Sequence, residues 1–214
     1  MTIDKINIIG AGSLGSFQAF LLAKMSGVLG CQIKILDFDK VELRNKDNQL
    51  YRSQDVDRLK VEALKEILDP LTESNIQIVD HKVDEKTDLR GVLIVMVDSM
   101  AVRKNIFEAF RYDAGISYYI EARTGGNLAL VYCFNPRNPD CIDRYQKTLY
   151  SDKAVENPRC AIAETVPVLW AVSSAIAGML ISLKNDKVNR DEFVEITINF
   201  SDIPLVKSES YQST

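Results

Sequence analysis

Two groups of residues in this chain have the types and spacing for nucleotide chemistry. Gly10-Ala11-Gly12-Ser13-Leu14-Gly15 follows the apolar run Ile6-Asn7-Ile8-Ile9. Glycines there permit a tight turn and a close backbone approach to phosphate, and a helix opening at Ser13 offers unpaired N–H groups to an anion. Asp37 ends a second apolar run, at the distance of about 20 residues where an acid binds a ribose hydroxyl. Asp39 follows two residues later. Asp98 comes directly after the continuous apolar run Gly91 to Val97, so it sits at the carboxyl end of a buried parallel strand. That edge is where open α/β sheets bind their ligands, and Asp37 reaches the same edge from its own strand.

The elements that must position these groups alternate as a doubly wound sheet requires. The pattern predicts a strand over 3–9, a helix over 13–26, a strand over 32–37, a long loop, a helix over 56–68 and a strand over 76–79. After the apolar run ending at Val97, the segment Ala101 to Arg111 places Val102, Ile106 and Phe110 on one helical face. Strands over 117–122 and 127–134 follow, joined by a hairpin turn at Thr124-Gly125-Gly126, so the second half departs from simple βαβ order. Thr165 to Leu183 is 19 residues without a charge, long enough to span a bilayer. Glu164 and Pro167 at its start, the small residues in its middle and the strand pattern Phe193 to Ile198 after it favour a buried or subunit-interface helix, and with it a homodimer. Ser208 to Thr214 lack apolar content and read as a loose tail. The expected organisation is one domain over 1–200 and a tail over 201–214.

At 46% hydrophobic and 26% charged residues the chain can build a full core. A net charge of −4 with scattered basic residues argues against nucleic acid or an anionic membrane as partner, since both need a concentrated positive field. Strand-like sequence begins within a few residues of Met1 with no apolar leader, which predicts a cytoplasmic protein. Cys31, Cys133, Cys141 and Cys160 show no C-x-x-C spacing, so a zinc ribbon is not expected. His81, the only histidine, has no second histidine for a metal cluster and is given no catalytic role.

The loop after Asp37 is more specific than the glycine turn. It reads Leu36-Asp37-Phe38-Asp39-Lys40-Val41-Glu42-Leu43-Arg44-Asn45, continuing through Asn48-Gln49, then Lys60-Val61-Glu62 and later Asp98-Ser99-Met100-Ala101-Val102-Arg103. The order resembles the ThiF/MoeB type of adenylyltransferase, relatives of the ubiquitin-activating enzymes. Their pattern is a Gly-rich turn, D-x-D-x-V-x-x-S-N-L-x-R-Q, a lysine in a K-V-E-like string and D-N-x-x-x-R. The resemblance covers about residues 5 to 183, and such proteins have a Rossmann-like, mostly parallel sheet.

That resemblance implies ATP bound by Gly10, Ala11, Gly12, Ser13, Leu14 and Gly15, with Asp37 on the ribose. It puts Asp39, Asn45, Asn48, Gln49, Lys60 and Arg103 around the nucleotide and gives Asp98 the role of holding Mg2+. Adenylating a carboxylate means attack on the α-phosphorus with pyrophosphate leaving, so cations must neutralise growing phosphate charge. The implied substrate is the C-terminal carboxylate of a small ubiquitin-like or sulfur-carrier protein. Cys160, in Asn157-Pro158-Arg159-Cys160-Ala161, is where relatives position a thiol that takes the activated carboxylate as a thioester. Arg159 and a following helix N-terminus would lower its pKa. Arg123, Gly125 and Gly126 are candidates to meet the carrier's tail.

Departures and plainer readings stand beside these. The family's R-Q pair is Asn48-Gln49 here, leaving Arg44 or Arg52 to supply a guanidinium. Ser99 replaces Asn, and the chain opens at its first strand without the N-terminal helix of such dimers. A non-catalytic subunit, favoured by these departures, and a nicotinamide oxidoreductase, favoured by the glycine turn, are the alternatives. Asp37 and Asp39 also admit the reading of a solvated strand end, Lys60 that of a surface lysine, and Asp98 that of the cap of the next helix. Cys160 reads also as a buried thiol, and the glycines after Arg123 as a plain turn.

Overall fold

The computed structural model of this 214-residue protein describes residues 3–150, 163–201 and 203–212. Eight strands form a single sheet: β1 (Lys5–Ile9), β2 (Gln32–Leu36), β3 (Ile76–Val79), β4 (Gly91–Val95), β5 (Ile116–Gly125), β6 (Leu128–Phe134), β7 (Glu192–Asn199) and β8 (Leu205–Gln212). Their order is β3-β2-β1-β4-β5-β6-β7-β8. Strands β1 to β5 are parallel, and β5 to β8 are antiparallel. This is the Rossmann-like, mostly parallel sheet with an antiparallel C-terminal extension that the pattern predicts. Strand order reverses between β1 and β4, and a crevice at such a switch point is the usual ligand site of an open α/β sheet.

Helices α1 (Ser13–Lys24), α3 (Lys60–Leu68) and α6 (Val166–Lys184) cover one face, with the one-turn α2 (Ser26–Leu29) between α1 and β2. The other face is covered by α4 (Met100–Phe110) and α5 (Pro139–Gln146). The parallel strands are buried on both faces, which explains why Gly91 to Met96 reads as an unbroken apolar run. Around α5 the second core is aromatic: Phe107, Tyr119, Phe134 and Tyr145 are all fully buried, with Phe107 and Tyr145 ring centroids 4.7 Å apart.

Several expectations need correction. The helix predicted from 56 begins at Lys60, because Asp57 takes a left-handed φ of +69° and Leu59 bridges Lys40 as an extended residue. Val102 is exposed, and the inward face of α4 is instead Met100, Arg103, Ile106, Phe107 and Phe110. Residues 205–212 are not a loose tail but strand β8, registered against β7 from Leu205↔Asn199 to Gln212↔Glu192. A backbone ladder needs no apolar side chains, so polar Ser208 to Gln212 gave no signal of it. Helix α5 is an element the sequence pattern does not predict; Asn138 caps it by accepting from the Asp140 and Cys141 amides, with Pro139 in its first turn. Helix α6, uncharged up to Lys184 at its end, lies against α1 and over β5 to β7, burying Val168, Leu169, Val172, Ile176, Leu180 and Leu183. By length and composition alone it could cross a membrane.

Candidate functional site

The site is built where β1, β2 and β4 end side by side. Gly10 leaves β1 with φ +94°, and a Cβ there would stand 2.6 Å from the Met96 carbonyl oxygen. Only glycine satisfies both the left-handed angle and that approach. Gly15 is as constrained, since a Cβ on it would lie 1.8 Å from the Gly10 carbonyl oxygen, so α1 starts tight against the turn. Gly12 differs: nothing lies within 4 Å of where its Cβ would be. It occupies the N-cap of α1, no side chain caps that helix end, and no acidic residue stands in its first turn. The first amides of α1 therefore carry no side-chain cap, and the positive end of the helix there favours an anion.

Asp37 closes one side of this turn. Its Oδ2 accepts from the Ala11 amide at 2.6 Å and its Oδ1 from the Asp39 amide at 2.7 Å. Burial still pushes the Asp37 carboxyl above its ordinary value, although those two amides and the Lys60 charge pull the other way. Tyr51 donates to the Ala11 carbonyl at 2.6 Å from the loop above, pinning the turn from the opposite direction. Burial is also what raises the Tyr51 hydroxyl, keeping it a neutral donor. Lys60 is the first residue of α3, and its ammonium rests 3.1 Å from Asp39 Oδ2. The Lys60 side chain is 11% exposed and that of Asp39 53%, so the lysine is held at the rim by a partner that water and ligand can reach.

Asp98 follows β4 and is exposed. It does not cap α4. That task falls to Ser99, whose hydroxyl accepts from the Val102 amide at 3.3 Å, which removes the plainer reading of Asp98. No group of three His, Cys, Asp or Glu side chains gathers among the described residues. A single exposed carboxylate suits Mg2+, which keeps its waters and is commonly held by one or two carboxylates together with substrate phosphates.

The long loop serves the turn more than the open space. Asn45 is buried, and its Oδ1 accepts from the Glu42 amide at 2.7 Å across a short 3-10 turn over Leu43–Asp47. Asn48 is buried as well, and Gln49 keeps a buried Oε1 with no hydrogen-bond partner. Leu50 donates its amide to Ser16 of α1 at 3.4 Å, laying the loop along that helix. The expected replacements for the missing family arginine are engaged elsewhere. Arg52 makes two bonds to Asp55 and one to Glu66, and Arg44 pairs with Glu42 at 2.5 Å.

Two further assignments change. Arg103 is 4% exposed, and the partners it reaches are Glu121 and the carbonyls of Val97 and Ala122, so it braces the protein in place of meeting ATP. Arg123 is spent in the same way on Glu121 and Thr148. Gly125 ends β5 opposite Leu128 and the turn is made by Gly126, with φ +62°, and Asn127, so the plain hairpin reading holds with the turn one residue later. Cys31, Cys133 and Cys141 are buried, and burial raises the first two thiols, as structural cysteines require. Cys160 lies outside the described residues.

A glycine turn under an uncapped helix, with one carboxylate on each flanking strand end, defines the class of α/β nucleotide-binding folds. The chain belongs to the ThiF family, whose match runs over residues 3–212. It is 39% identical over 86 residues to the adenylyltransferase and sulfurtransferase MOCS3 of Aedes aegypti, covering 40% of this chain and 19% of that protein. Its fold resembles that of E. coli MccB bound to ATP, with a TM-score of 0.70, 19% identity, and coverage of 100% of this chain and 65% of that one. The microcin C7 biosynthetic enzyme MccB in complex with N-formylated MccA gives a TM-score of 0.73 at 20% identity, covering 99% and 65%. The chain thus spans about a fifth of the curated relative and under two-thirds of the solved ones.

Proposed function

We propose that this protein is an ATP-dependent adenylyltransferase that activates the C-terminal carboxylate of a small ubiquitin-like or sulfur-carrier protein. The observation that carries the reading is the uncapped start of α1, open above Gly12 and flanked by Asp37 and Asp98. Membership of the ThiF family supports it, as do a relative named an adenylyltransferase and a fold relative solved with ATP.

In this reading the α1 amides receive the phosphates and Asp37, already fixed by Ala11, meets the ribose. Lys60 exchanges Asp39 for phosphate charge as pyrophosphate departs. Asp98 is the residue that would hold Mg2+, whose charge would stabilise the leaving pyrophosphate. Positioning supplies most of the rate, because the incoming carboxylate is itself the nucleophile. Activation precedes transfer, and Cys160 is proposed to attack the acyl-adenylate as a thiolate, forming a thioester as the acyl–phosphate bond breaks and AMP leaves. The protein is further proposed to be cytoplasmic and a homodimer, paired through the uncharged outer face of α6 at Pro167, Trp170, Ser174, Gly178 and Ile181.

Calorimetric titration of ATP with Mg2+ tests the first step: binding is expected in the wild type and lost in Lys60→Ala, whereas NAD binding without ATP binding would replace this reading by an oxidoreductase. Binding of neither nucleotide would favour the non-catalytic subunit. Pyrophosphate exchange in the presence of small carrier proteins ending in Gly-Gly tests the second. A thiol-cleavable carrier adduct that disappears in Cys160→Ala supports the thioester, and wild-type transfer in that variant removes it. Light scattering reads the oligomeric state.

A further inference from the structure

Behind the strand ends lies a buried ionic group that the nucleotide does not need to touch. Glu121 of β5 is fully buried and accepts from two guanidinium groups at once, Arg103 on its Oε1 and Arg123 on its Oε2, the latter at 2.7 Å. Tyr145 donates to the same Oε2 at 3.2 Å. Arg103 also donates to the Ala122 carbonyl at 3.2 Å and, through Nη2, to the Val97 carbonyl at 2.5 Å. Arg123 reaches the Thr148 carbonyl at 2.7 Å and its hydroxyl at 2.9 Å. An unbroken path of charge-assisted bonds therefore runs from the residue before Asp98, through β5, to the chain just past α5.

Such a group is a poor choice for stability alone. Two arginines and one glutamate must all be stripped of water, and well-packed apolar residues of similar volume commonly do as well or better. What an apolar replacement cannot do is hold a carbonyl oxygen in a fixed direction. Val97 is the last residue before Asp98, and Ser99, the residue after it, is fixed as the α4 cap. The backbone of Arg103 itself donates to the Ser99 carbonyl at 3.0 Å. One residue thus anchors both neighbours of Asp98 while the Asp98 side chain stays exposed.

We propose that Arg103, oriented by Glu121, is a positioning residue that aims the Asp98 carboxylate at the magnesium of a bound nucleotide. The inference rests on the ATP reading above. Residues that orient a metal ligand from behind typically change metal affinity by about ten- to a hundredfold when removed.

The test is calorimetric binding of ATP at a series of Mg2+ concentrations, and again in EDTA, for the wild type, Arg103→Met and Arg103→Lys. Arg103→Met is expected to raise the Mg2+ concentration for half-maximal enhancement of ATP binding about tenfold. Its melting temperature should fall, because buried Glu121 and the Val97 and Ala122 carbonyls lose a donor, while its affinity for ATP in EDTA should not change. Arg103→Lys keeps the charge but has one compact head for three acceptors, so it should fall between the two. If Arg103→Met fails to fold, Arg103→Lys carries the test. Wild-type Mg2+ dependence in the folded variant, or equal losses with and without Mg2+, overturns the positioning role and leaves the ATP reading intact. A wild type that binds no ATP at all overturns that reading and this inference with it.

Discussion

Two carboxylates in this molecule are each gripped by two arginines, and they do different work. Asp55 has Arg52 and Arg58 three residues away on either side, both a third or more exposed, and both also reach Glu66 of α3. Glu121 has Arg123 two residues away and Arg103 eighteen residues earlier, all nearly out of reach of water. The first is a local staple that closes a short turn onto α3. In the second, the spare N–H groups continue to main-chain carbonyls on separate elements. The same donor and acceptor types thus make a clasp of exposed arginines over one buried acid or a core coupling, according to what the remaining N–H groups can reach.

Removing the central acid from each should separate them most. Glu121→Ala leaves two desolvated guanidinium groups unpaired and is expected to cost about 3–5 kcal/mol in denaturant unfolding. Asp55→Ala exposes arginines that water can serve and should cost clearly less; equal losses would erase the distinction. pH sharpens the contrast further. The bond from Arg52 holds the Asp55 carboxyl below the usual carboxylate range. A lowered acid contributes stability above its unfolded value and loses it as pH falls through the folded one. Melting temperatures of wild type and Asp55→Asn should therefore differ at neutral pH and converge below about pH 4. The smallest effect belongs to Arg52→Ala, a drop in melting temperature of which the share owed to the exposed Glu66 pair fades in about 1 M salt. Arg103→Met, being buried, should show no such fading.

How far the sequence discloses the molecule follows the same division between local and distant. The parallel strands announce themselves because burial on both faces leaves continuous apolar runs, as at Val92 to Met96. The glycine turn and Asp37 are legible because their residue types and spacing form a short pattern, even though the Met96 carbonyl and the Ala11 amide they meet lie on other segments. Helix α5 carried a start signal in Asn138-Pro139-Asp140, but with only Cys141, Ile142 and Tyr145 inward its apolar stripe was too thin to outweigh the prolines. Arg103 is drawn toward the nucleotide by its place in the family pattern, and Arg123 toward a carrier's tail because a guanidinium beside two glycines suits a carboxylate. Their true acceptor, Glu121, sits in a strand whose neighbours Tyr119, Ile120 and Ala122 gave no hint of a buried charge. A contact between side chains brought together only by the fold leaves no spacing to read.

Trp170 is the only tryptophan in the chain, and its indole stands edge-on to Phe17 and Phe20 of α1 with centroids 5.0 and 5.7 Å away. Its emission is therefore a single-site optical gauge of whether α6 is seated on the very helix whose first turn is offered to phosphate. Loss of that seating would redden the fluorescence before the sheet melts, letting one wavelength follow the docking of two helices separately from collapse of the whole.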